Sequence, residues 1–204
     1  GSMPDAVKAV AMAFDTFEDG DVFIHNDPYF GGSHLPDVNV VTPSFHGGKL
    51  IGFAGIRAHW PDVGSATPGS YGAVTEIYGE GLRLPPIKLY AKGVLNRDVD
   101  AIIFANVRTP EERRGDLGAQ IAANRRATQR LSALADKYGT DTLVDAMVEV
   151  MNYSERMMRT LLARLPDGES SFEDFCDGDG IIEEGDTEDQ PFTIRMTVKK
   201  VGDS

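Results

Sequence analysis

Val38-Asn39-Val40-Val41-Thr42-Pro43, then His46-Gly47-Gly48, then Leu50-Ile51-Gly52-Phe53-Ala54-Gly55-Ile56 is the stretch from which the fold is read. Both arms are rich in β-branched and apolar residues, and the glycines between them suit a tight turn, so a β-hairpin is expected. The chain enters the first arm through Asn26-Asp27-Pro28-Tyr29-Phe30-Gly31-Gly32-Ser33-His34-Leu35-Pro36-Asp37 and leaves the second through Arg57-Ala58-His59-Trp60-Pro61-Asp62. Pro36 keeps His34 and Asp37 from being helix neighbours, so their spacing reads as a turn. Neighbouring strands would then bring His34 and Asp37 beside His59. Two imidazoles and a carboxylate are a set that divalent first-row metals accept while leaving positions open for water or substrate. The plain alternative is polar loop residues bonded to nearby backbone.

Outward from the hairpin, Ala6, Val7, Val10, Ala11, Phe14 and Phe17 recur at steps of three and four, predicting a helix over 4–17. Val22-Phe23-Ile24 reads as a short buried strand, and 61–78 as a glycine-rich loop able to act as a lid. A helix is expected over 97–104 with Asn96 as its cap, and another begins at Thr109-Pro110-Glu111-Glu112. That helix runs to Tyr138, Gly139 stops it, and a further helix carries Leu143, Met147, Met151, Met158 and Leu161 on its apolar side. The two are expected to pack as a long helical hairpin. Residues 167–190 read as an acidic loop, and Phe192, Ile194, Met196 and Val198 alternate with polar residues as a half-buried strand without an obvious partner. The expected class is α+β: one domain over 1–204, with a mixed β-sheet, an N-terminal helix and the helical hairpin.

A formal net charge of -12 gives nucleic acid or an anionic membrane no cationic face to meet. The single cysteine, Cys176, forms no internal disulfide, and no apolar run nears the roughly 18 residues of a membrane span. A cytoplasmic protein is expected. No phosphate-cradling Gly-x-x-x-x-Gly-Lys motif is present, so any ATP would be handled by another chain. Asp27 and Asp62 flank the ligand candidates and would orient an imidazole or accept a proton, although turn formation explains them equally well. Glu76, Glu80 and Arg83 would meet a polar substrate, with a surface salt bridge as the alternative.

The two histidine segments, together with Glu80-Gly81-Leu82-Arg83-Leu84-Pro85-Pro86-Ile87-Lys88-Leu89, Asn106-Val107-Arg108, Gly115-Asp116-Leu117 and Ala119-Gln120, closely resemble the hydantoinase B/oxoprolinase family. The resemblance covers nearly the whole chain. It implies the B-type subunit of an ATP-dependent hydrolase of cyclic amides such as hydantoins or 5-oxoproline, working in a hetero-oligomer with an A-type subunit that uses the ATP. It also implies that His34, Asp37 and His59 stand at metal-ligand positions, for manganese, zinc or iron, with Asp27 and Asp62 as proton-handling candidates and Glu80 and Arg83 near the substrate. The alternative within the same family is a subunit of an acetone- or acetophenone-type carboxylase. Family members extend on both sides of these motifs, so the chain is expected to be a core segment that is inactive alone.

Overall fold

The structure is a computed structural model and describes residues 3–70, 72, 74–178, 180, 182 and 188–202. They divide into two compact units, Gly1–Leu143 and Val144–Ser204, where the sequence suggests one domain. The first unit holds strands β1 (Val22–His25), β2 (Asp37–His46), β3 (Lys49–His59), β4 (Ile87–Ala91) and β5 (Val94–Leu95). They form one sheet in the order β3-β2-β1-β4-β5. Every pairing in it is antiparallel, which corrects the mixed sheet expected from sequence. A parallel neighbour needs a crossover of a dozen or more residues. Here β2–β3 and β4–β5 are joined by two-residue turns instead, Gly47-Gly48 and Lys92-Gly93, all four residues at positive φ.

Strand alternation splits the sheet between two cores. Phe23 and Val41 face helix α1 (Met3–Ala13), where they meet Val10. That helix ends before the expected Phe17, yet Phe14 and Phe17 still pack on Phe23, tilted and edge-on, with ring centroids 4.6 and 5.6 Å away. Ile24, Val38 and Val40 point the other way and join Ile103 of α2 (Arg97–Ala105) and Leu117 and Ile121 of α3 (Pro110–Tyr138). Asn96 caps α2 as expected, its side chain accepting from the amides of Asp98 and Val99.

Two amides fasten α3 to the sheet. Gln120 donates to the Val38 carbonyl at 2.9 Å and accepts from the Trp60 indole at 3.1 Å, and Asn124 donates to the Val40 carbonyl at 2.9 Å. All three side chains are buried, so losing one leaves polar groups that water cannot reach. Gln120→Leu is expected to cost about 2–3 kcal/mol in urea unfolding by stranding the Trp60 N–H and the Val38 carbonyl; an unchanged midpoint would remove this bridge from the account.

After Gly139 comes α4 (Thr140–Leu162), so the two expected long helices follow one another in the chain. The apolar side of α3 is covered by the sheet, and Met151, Met158 and Leu161 of α4 are exposed. In the second unit, β6 (Gly168–Cys176) pairs antiparallel with β7 (Phe192–Lys200). Much of the expected acidic loop is therefore strand. Its acids Glu169 and Glu173 stand opposite Lys199 and Arg195, and Glu173 makes an ion pair with Arg195, so β7 supplies the cations that make pairing favourable. Residues 179, 181 and 183–187 of that segment, like 71 and 73 of the expected lid, lie outside the described residues. The class is α+β, as expected.

His25, the last residue of β1, is 0% exposed and sits opposite Asn39. The Ala6 backbone lies near, but neither ring nitrogen has a hydrogen-bond partner in good geometry. Burial pushes its pKa down to about 4, and the nearby Arg57 charge adds to the depression. The unfolded chain takes up this proton near the ordinary imidazole value of 6.5. Stability is therefore lost as pH falls from that value toward 4, by about 3 kcal/mol at most. His25→Phe is expected to flatten the change in urea midpoint between pH 7 and pH 4.5; an equal slope in the variant would mean that another group carries it.

Candidate metal centre

The β2–β3 pairing places the three ligand candidates. Asp37, the first residue of β2, is the direct cross-strand partner of His59, the last of β3, so both side chains share one face. His34 precedes β2 in a turn closed by the Asp37 amide donating to the His34 carbonyl at 3.0 Å. Its Nδ1 lies 3.3 Å from the Asp37 carboxylate, and its ring centroid lies 5.1 Å from that of His59. The loop that carries His34 is pinned to α1 at Gly31, where a Cβ would come 2.4 Å from the Asp5 carbonyl oxygen, so only glycine fits.

Ligand atoms sharing one ion stand roughly 3–3.5 Å apart, given metal–ligand bonds near 2.0–2.2 Å. The His34–Asp37 separation meets this, and the rings of His34 and His59, both exposed, lie tilted at 43° to each other. Among the described residues, no group of three or more His, Cys, Asp or Glu is already drawn together tightly enough to hold a metal ion. Two imidazoles and a carboxylate suit a divalent ion by their chemistry, and the fold brings them to one end of the β2–β3 pair.

Asp37 is held by more than His34. Ser33 Oγ donates to its carboxylate at 2.5 Å, and Arg57 Nη1 lies 3.8 Å from the same oxygen. Arg57 also donates to Ser33 Oγ at 3.2 Å and to Asn39 Oδ1 at 2.8 Å. Asn39 is buried and donates in turn to the backbone carbonyls of His25 and Asp37. Sequence reasoning passed over this cradle, yet its signal was legible. Arg57 lies two residues before His59 and Asn39 two after Asp37, the spacing that keeps strand residues on one face.

The other predicted site residues have different surroundings. Asp27 is buried, caps the turn Pro28–Phe30 by accepting from the Tyr29 amide, and pairs with Arg83 at 3.4 Å. Asp62 is buried too. Burial alone would raise its pKa, but the amides of Gly64 and Arg108 and the Arg108 guanidinium outweigh that and hold it below the ordinary carboxylate value. Both carboxylates are thus engaged in holding backbone and arginine. Glu80 lines a cavity of about 500 Å³ together with Tyr29, Ser33, His34, Glu76 and Ile77. Arg83 lines a separate one and lies over the Tyr78 ring. His46, at the turn between β2 and β3, meets Ser132 at 3.2 Å and Asp136 at 3.8 Å on α3.

Residues 1–204 match the family description Hydantoinase B/oxoprolinase. The chain belongs to that family. It is 44% identical over 208 residues to a protein of Pseudomonas sp. (strain NS671) described as the putative B-type subunit of a D-/L-hydantoinase, a match covering 99% of this chain and 35% of the relative. The crystal structure of the ATP-dependent caprolactamase from Pseudomonas jessenii superposes with a TM-score of 0.87 at 36% identity, covering 100% of this chain and 34% of that one. A nucleotide-free acetone carboxylase structure shares the fold, with a TM-score of 0.81 at 22% identity over 96% of this chain and 27% of that one. The family member thus spans about a third of the length of these relatives. Among its described residues, no helix is long and apolar enough to cross a membrane.

Titration of the chain with manganese or zinc checks the ligand set. His34→Ala and His59→Ala are each expected to abolish stoichiometric binding, and Arg57→Gln to weaken it about 10- to 100-fold by releasing Asp37. Undiminished affinity in both histidine variants would place the ion elsewhere.

Proposed function

We propose that this chain is the metal-dependent hydrolytic segment of an ATP-dependent amidohydrolase acting on cyclic amides, paired with an A-type subunit that uses the ATP. The observation that carries this reading is the convergence of His34, Asp37 and His59 beside a cavity sized for a small ring. The relatives named as a hydantoinase subunit and a caprolactamase support the substrate class.

A ring amide is a poor electrophile, which is why its opening is coupled to ATP. Hydrolysis adds water to the carbonyl carbon, breaks the C–N bond and delivers a proton to the departing nitrogen. A divalent manganese, zinc or iron ion held by His34, Asp37 and His59 would supply Lewis acidity, lowering the pKa of water. The rest falls to this chain's own side chains. Arg57, Ser33 and Asn39 fix the direction of the Asp37 carboxylate. Tyr29 and Ile77 give the cavity apolar wall to cover the ring. The Asp27–Arg83 pair holds the turn that carries Tyr29. Asp27 serves this reading by holding that turn, and Asp62 by holding the Gly64 and Arg108 backbone.

The test uses the full-length protein assembled with its ATP-using subunit. ATP-dependent opening of hydantoin or caprolactam is expected, with kcat/KM falling at least ~100-fold in His59→Ala. Stoichiometric consumption of bicarbonate with no ring opening would assign the assembly to carboxylation instead.

A further inference from the structure

The cavity beside His34 has an electrostatic character that its neighbourhood lacks. Three other acids of the first unit each have a guanidinium at hand: Asp27 has Arg83 at 3.4 Å, Asp37 has Arg57 at 3.8 Å and Asp62 has Arg108 at 3.0 Å. Glu76 and Glu80, which line the cavity itself, have no cationic partner among the described residues. No lysine or arginine is among the described residues of its lining. The nearest arginines are committed elsewhere. Arg57 is engaged by Asp37, Asn39 and Ser33, and Arg83 by Asp27 and Tyr78.

We infer that this cavity selects uncharged ring amides and rejects those that carry a carboxylate. The inference rests on the proposed hydrolytic reading of the same site and narrows its substrate class. A ring bearing a carboxylate would lose water from that group and gain two like charges, with no lysine or arginine among the described lining residues to receive it. An uncharged lactam or hydantoin incurs no such penalty and offers only N–H and C=O groups, which Ser33, His34 and the two glutamates can meet. Glu76 and Glu80 are thus specificity-determining residues.

The decisive pair of ligands is 2-pyrrolidone and 5-oxoproline, the same five-membered ring without and with a carboxylate. Binding is measured by calorimetry and turnover by ATP-dependent ring opening, on the full-length protein with its ATP-using subunit. The expected result is at least about tenfold tighter binding of 2-pyrrolidone. Glu76→Gln combined with Glu80→Gln is expected to tighten 5-oxoproline binding at least about tenfold and so narrow the gap. Equal or tighter binding of 5-oxoproline by the parent protein, a ratio unmoved by the double substitution, or no binding of either ring would each overturn the inference. Selective binding of 2-pyrrolidone without its opening would leave the selection standing and remove the hydrolytic reading. Preferential opening of 5-oxoproline would do the reverse.

Discussion

The register of β2 against β3 is the constraint on which the rest depends. Pairing begins at Asp37↔His59 and runs to His46↔Lys49, where Gly47-Gly48 turn the chain. A slip of one residue would send every side chain to the opposite face of the sheet. Val38 and Val40 would then leave the core they share with Leu117 and Ile121, and Asp37 would leave the face that His59 occupies. Core and site are thus fixed by one and the same alignment. Because each face is buried by a different helix, misregister is penalised twice.

The same strands carry a polar strip at the end of the face that α1 covers. His25, Asn39 and Arg57 lie side by side across β1, β2 and β3, and Asp37 and His59 form the next row. The strip begins with a wholly buried imidazole whose nitrogens lack partners and ends with exposed ones. Unsatisfied burial of this kind costs stability, and in this chain it lies one residue pair away from the candidate ligands. Asn39 joins the two ends, since its amide meets the carbonyls of both His25 and Asp37.

Much of this was legible in the chain. The paired glycines and β-branched arms gave the hairpin, Asn96 and Gly139 marked helix ends, and the two histidine segments at the open end of the hairpin told that His34 and Asp37 come near His59. Those signals are local, carried by turn chemistry and side-chain period. The misreadings are all non-local. The second unit's strand β6 was hidden because Glu169 and Glu173 read as solvated acids until Lys199 and Arg195 were set opposite them. Periodicity likewise shows that α3 has an apolar side without showing that a sheet will cover it. Asp27 and Asp62 are a separate case: the sequence offers them for proton transfer, and the fold adds their contacts with Arg83 and Arg108.

The sequence by itself determined the family, the hairpin, most of the first unit's elements and the three residues proposed to bind metal, because each is written in a short span of residue types. Tertiary structure alone decided which carboxylates have a guanidinium and which do not. Glu80 and Arg83 are three residues apart and read as one substrate-binding pair, yet they line different cavities. Charge acts through space, and the partners that neutralise Asp27, Asp37 and Asp62 come from positions 20 to 56 residues away along the chain.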